Sequence, residues 1–264
     1  MCALSGQLVK IYAVDLMKTR QKPISDFDVT TADLAWILGG GAVATALLFA
    51  AAIAGPAHLE ANSTLSGLSA STLDLMFGAM AYGVFLTCLH FRLIQVRGMA
   101  WRDVGFRGCE GNFLALGFLA ALLWLSVSAA LYSAFGFWDI SLALGRDLFN
   151  PFMADPYTLA AFCILAGPVA AITEETLFRG LVYRWLRQRR GIAMSALISA
   201  VLFAVVHPYL YAGSVEMFLL FAFDLTALAI LLALLFEISG SLWPSIIAHA
   251  GNNLLLLGVQ AYLG

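Results

Sequence analysis

Apolar runs close to twenty residues long recur along this chain, and a hydrocarbon core roughly 30 Å thick needs a helix of about that length to cross it. They fall near 34–54, 75–94, 113–134, 158–186, 192–207, 215–236 and 242–262, the fourth long and interrupted, the fifth short. Hydrophobic residues make up 62% of the chain and charged ones 11%, with a mean hydropathy of +0.90. A soluble chain carries about 25% charge. The fold class is therefore all-α: a polytopic transmembrane helical bundle of about seven spans, an eighth lying within the tolerance of the boundaries. The segment "GFWDISLALGRDLFNPFMADP" between the third and fourth runs is long enough for a short interfacial helix.

Basic residues set the orientation of such a chain, since they collect on the cytoplasmic side. Lys10, Lys18, Arg20 and Lys22 precede the first run. Arg92, Arg97, Arg102 and Arg107 follow the second, and Arg179, Arg184, Arg187, Arg189 and Arg190 close the fourth. Alternating spans put all three groups on one side and leave only Arg146 opposite, so an integral, multi-pass protein with a cytoplasmic amino terminus is expected. The first twenty residues lack the apolar core of a cleaved signal; they pattern equally as a surface helix or a poorly ordered tail. A net charge of −2 gives no reason to expect nucleic acid as a partner. Cys2, Cys88, Cys109 and Cys163 are scattered without a CxxC, which argues against a disulfide framework or a thiolate metal site.

Against this apolar background the stretch "ITEETLFRG" is anomalous, because a charge at mid-bilayer depth costs roughly 2.5–3.5 kcal/mol. Glu175 and Arg179 are four apart, about 40° from each other on a helix, with acid before base, the favourable order for an ion pair. Glu174 points about 100° away from Glu175 and needs a partner elsewhere. The next run ends in "FAVVHP", where His207 is the only ionisable group. If the chain turns near Arg190, Glu174 and His207 both stand about 24 Å from the turn at about 1.5 Å per residue, and so at one depth. The last run, "WPSIIAHAGNNLLLL", brings His249 and Asn253, again four apart. Asn252 reads as interhelical packing, and Asp224 as either a hydrogen bond to a neighbouring helix or a site residue.

A carboxylate beside an imidazole can activate water. A second histidine with an amide four residues on can donate two hydrogen bonds to an oxyanion. Together these would hydrolyse an amide or ester. The same Glu174, His207 and His249 could instead hold Zn²⁺ with an open position for water, although the HExxH signature is absent. No cofactor is firmly implied, and zinc is the alternative.

The motifs EExxxR (Glu174, Glu175, Arg179), FxxxH (ending at His207) and HxxxN (His249, Asn253), in this order on successive apolar runs, resemble the CPBP family: the CAAX proteases and bacteriocin-processing enzymes. Its best-known members are type II CAAX prenyl endopeptidases. The resemblance covers about 155–264. It implies that Glu174 and His207 activate the hydrolytic water, that His249 and Asn253 stabilise the oxyanion, and that Glu175 and Arg179 support them. The chain then divides into a cytoplasmic amino-terminal segment (1–33), amino-terminal spans (34–154) and a catalytic core (155–264). Lipid and a peptide or protein substrate, prenylated or not, are the expected partners. The expected function is endopeptidase cleavage near the membrane interface. The alternatives are a catalytically silent scaffold or immunity-type protein of the same family and, on other grounds, a transporter, which would show broken helices in both halves.

Overall fold

The computed structural model describes residues 28–59, 70–153, 155–207 and 214–263. Eight helices account for most of them: α1 (Thr31–Leu59), α2 (Ala70–Leu89, continuing as a π-helical stretch His90–Val96), α3 (Gly111–Ala134), α4 (Trp138–Met153), α5 (Pro156–Arg187), α6 (Ile192–Val205), α7 (Val215–Ser239) and α8 (Leu242–Leu263). No strand occurs among the described residues. Six of the helices, all but α4 and α6, are long and apolar enough to cross a membrane. The protein is thus an all-α polytopic bundle, as the apolar runs require. The fifth run, expected to be short, forms a shorter apolar helix, α6, of 14 residues. That is about 21 Å at about 1.5 Å per residue. The amino-terminal segment, for which a surface helix is one of two expectations, lies outside the described residues.

α4 is the short helix expected between the third and fourth runs, and it packs against the end of α8, where Gly145 admits the Gln260 side chain. The next helix starts sharply. Asp155 accepts hydrogen bonds from the amides of Tyr157 and Thr158, capping α5 with Pro156 at its first position. The Thr158 hydroxyl and the two amides hold the Asp155 carboxyl below its ordinary range, so the cap strengthens above that carboxyl's unfolded pKa and is lost as pH falls.

The basic residues gather at one end of the bundle. Asp33 at the start of α1 accepts from Arg92 at 2.7 Å and from Arg97. Arg184 donates to the Asp103 carbonyl at 2.5 Å, and Arg187 pairs with Glu237 at 3.1 Å. The α7–α8 turn lies there too: Gly240 takes the left-handed conformation that closes α7, and Leu242 N–H donates to Gly105 O at 2.9 Å. Within the bundle Asp224 of α7 accepts from Ser128 at 2.5 Å and Tyr132 at 3.3 Å, both on α3. Of the two expectations for Asp224, the interhelical hydrogen bond is the one observed.

α3 and α8 touch at backbone distance. A Cβ on Gly117 would stand 2.4 Å from the Pro244 carbonyl oxygen. Small residues permit such approaches between membrane helices. Gly117→Ala is expected to destabilise the folded protein by about 1–3 kcal/mol, since the obstacle is backbone and cannot rotate away. Unfolding titration in mixed micelles would measure it, and an unchanged midpoint would show that the two helices can separate freely.

Candidate active site

α5 is continuous from Pro156 to Arg187, yet it is not uniformly α-helical. Leu165–Val169 and Thr176–Tyr183 are π-helical stretches. Pro168 lies in the first; lacking an N–H, and with a ring that crowds the preceding turn, it cannot sit in a regular α-turn without distortion. The interruption expected in the fourth run is therefore a widened turn and not a break. It has a consequence for the site. Ala170 N–H bonds to Leu165 O and Gly167 O, passing over Ala166 O, and Asn253 Nδ2 donates to Ala166 O at 2.9 Å.

One turn further, α5 presents its two carboxylates in different directions, as the helical arithmetic requires. Glu175 is fully buried and its Oε1 accepts from Arg179 Nη1 at 2.9 Å. Arg179 Nη2 also donates to the Ala229 carbonyl at 2.8 Å, which ties α5 to α7. Glu174 points toward α2, α6 and α8. Its Oε1 accepts from the Tyr82 hydroxyl at 2.7 Å, and its Oε2 stands 3.6 Å from His207 Nε2 and 3.7 Å from His249 Nε2. Those two separations exceed direct hydrogen bonds, so the two imidazoles face the same carboxylate oxygen without bonding it directly.

Each histidine is fixed by its other nitrogen. His207 Nδ1 is 2.6 Å from the Phe203 carbonyl, one turn back on α6. His249 Nδ1 is 2.9 Å from Glu175 Oε1. Both contacts are donations from Nδ1–H, which turns both Nε2 atoms toward Glu174. His249 is consequently held between the two adjacent acids. The Phe203 ring packs beneath, 4.5 Å from His207, 5.6 Å from His249 and 4.9 Å from the Arg179 guanidinium carbon.

The structure thus brings together Glu174, His207 and His249, and it places Glu175 and Arg179 as a buried pair behind them. Asn253 lies one turn beyond His249 on α8 and is tied to Ala166 O. Exposure separates the two acids: Glu174 and His207 side chains keep 15% and 16% of their surface, Glu175 and Arg179 0% and 1%. The first pair is thus partly open to its surroundings, although Glu174 Oε2 itself is buried, and the second is closed off. As for zinc, no three His, Cys, Asp or Glu side chains among the described residues are disposed to hold a metal ion together.

Three features were not read from the sequence. Glu175 serves His249 as well as Arg179; Phe203 floors the cluster; and Tyr82 reaches Glu174 from α2. A depth signal existed for Tyr82, because it and Glu174 both lie about 20 Å from the basic end, at about 1.5 Å per residue from Val96 and Arg187 respectively. It was masked by the frequency of tyrosine in membrane helices.

The bundle thus gathers two carboxylates and two imidazoles at one place among its helices. Residues 156–255, α5 through most of α8, match the family model described as Type II CAAX prenyl endopeptidase Rce1-like. Over those residues the chain is similar to this protease family, in agreement with the three motifs. No curated protein and no solved structure matches the chain.

Proposed function

We propose that this protein is an intramembrane endopeptidase that hydrolyses a peptide bond of a peptide or protein substrate near the membrane interface, with Glu174 as general base. The observation that carries the reading is the approach of Glu174 Oε2 to the Nε2 atoms of two histidines, one just past the end of α6 and one on α8. Glu174 Oε2 takes a proton from water while His207 Nε2 shares the hydrogen bond. The resulting hydroxide adds to the scissile carbonyl, and negative charge develops on its oxygen. His249, its Nδ1–H held by Glu175, donates from Nε2–H as an imidazolium to that oxygen. Asn253 Nδ2 carries a second hydrogen besides the one on Ala166 O and is the other donor. Collapse breaks the C–N bond, and the proton taken by Glu174 passes to the leaving amine, restoring the carboxylate.

Positive residues at one end of the bundle support a cytoplasmic location for that end, and with it a cytoplasmic amino terminus. The family's description supports a substrate bearing a carboxyl-terminal prenylated cysteine motif. The test uses two internally quenched peptides that end in such a motif, one farnesylated and one not, incubated with purified protein in mixed micelles. Release of the carboxyl-terminal tripeptide from the farnesylated peptide, identified by mass spectrometry, is the expected result. Absence of cleavage of either peptide by folded protein would return the silent-scaffold reading.

Asn253→Ala is expected to lower kcat by roughly 10²–10³, the usual loss for one oxyanion donor, with KM little changed. Chelators should leave the wild-type rate unaltered. Stoichiometric zinc in the active protein, lost in His249→Ala together with activity, would replace the oxyanion role with a metal-binding one.

A further inference from the structure

We infer that Tyr82 is a positioning residue for Glu174, so that α2, outside the family-matched segment, is part of the catalytic apparatus. The inference rests on the reading of Glu174 as the base. A carboxylate in a membrane helix has two chemically equivalent oxygens and a terminal torsion with a broad energy well. A general base must present one oxygen in one direction. At Glu174 the two oxygens are distinguished by their surroundings: Oε1 accepts from the Tyr82 hydroxyl at 2.7 Å, while Oε2 is buried and faces the two histidines at 3.6 and 3.7 Å. The phenol can donate only one hydrogen, and it goes to the oxygen that does not face the imidazoles.

Tyrosine suits the task. Its ring has two side-chain torsions and no flexible tail, so a hydroxyl delivered across an interhelical gap arrives in a fixed place. The neighbouring contacts between α2 and the first half of α5 keep the gap constant: a Cβ on Gly78, one turn before Tyr82, would touch Leu165 at 3.1 Å. Arg179 is committed to Glu175 and the Ala229 carbonyl, so the neutral phenol is the donor that orients Glu174 without pairing its charge. A base neutralised by a direct guanidinium contact would be a poorer proton acceptor. The hydrogen bond from Tyr82 fixes the carboxylate and leaves it ionised.

The experiment compares wild type, Tyr82→Phe and Glu174→Gln in the same mixed micelles. Turnover of the farnesylated and unprenylated quenched peptides is measured alongside thermal unfolding and infrared spectra. The band lost in Glu174→Gln identifies the Glu174 carboxylate stretch. Tyr82→Phe is expected to reduce kcat about tenfold, in keeping with one hydrogen bond to a charged group, with KM within about twofold and the unfolding temperature unchanged. The Glu174 carboxylate band should shift. A kcat within about twofold of wild type, an unmoved band, or a loss of activity matched by loss of folded protein would each overturn the inference. If wild type cleaves neither peptide, the hydrolase reading fails on its own, and the infrared band alone decides whether Tyr82 positions Glu174.

Discussion

Glu174→Gln is expected to reduce peptide cleavage by about 10⁴-fold, the upper end of the range for a positioned acid–base group. The magnitude follows from Glu174 acting twice, first as proton acceptor from water and then as proton donor to the leaving amine. Glutamine keeps the shape and an acceptor oxygen for Tyr82, so the helices should pack as before. It cannot take the proton. Thermal unfolding and gel-filtration behaviour should match wild type while kcat collapses. A variant that retains activity within tenfold of wild type would remove Glu174 from the reaction and leave the cluster a structural one. His207→Ala should fall in the same direction but by less, because it shares the water's hydrogen bond without being the terminal acceptor.

Glu175→Gln is the second large effect, and its first readout is stability. Glu175 and Arg179 are fully buried, and their 2.9 Å contact is the nearest charge compensation that Arg179 has within its own helix. Removing one charge of such a pair costs about 3–5 kcal/mol; the low end applies here because glutamine can still accept one hydrogen bond. Unfolding by denaturant titration in micelles would register it. The structure adds a second consequence that the spacing of Glu175 and Arg179 does not contain. Glu175 Oε1 also receives His249 Nδ1, and a neutral amide there stabilises an imidazolium less well than a carboxylate. Turnover per folded molecule should therefore fall as well. A variant as stable as wild type would mean that Arg179 finds its compensation elsewhere; one that is unstable but fully active when folded would mean that Glu175 serves only the pair.

What could be read from the sequence followed from two periodicities. Run length located the spans, since the bilayer is a solvent of known thickness, and every one of the eight helices except α4 falls where a run lies. The four-residue spacing paired Glu175 with Arg179, and the equal distances from the turn near Arg190 put Glu174 and His207 at one depth; both contacts are present, at 2.9 and 3.6 Å. What escaped depends on rotation and lateral neighbourhood. Nothing along α2 says which of its faces meets α5, so Tyr82 could not be assigned to Glu174. Helical arithmetic fixes the angle between Glu174 and Glu175 but not the position of α8 between them, which is why the double grip on His249 was missed. Asn253 was expected at the oxyanion, and its bond to Ala166 O depends on a widened turn that Pro168 hints at without specifying.

The two widened stretches of α5 have a further meaning for how this helix is phased. A π stretch is in effect an α-helix that has accommodated an extra residue, and Thr176–Tyr183 falls between the residues that face the cluster and those that anchor the helix at the basic end. Glu174 and Glu175 must aim at α2 and α8, whereas Arg184 and Arg187 must aim at the Asp103 carbonyl and Glu237. A uniform α-helix allows one rotational setting to serve both. The widened stretch lets each half of α5 be set independently, so that the angular position of the acids is not dictated by the anchors. Wound as a regular α-helix, the same residues would turn everything beyond the stretch by about 100° relative to the acids, and the two ends could no longer both meet their partners.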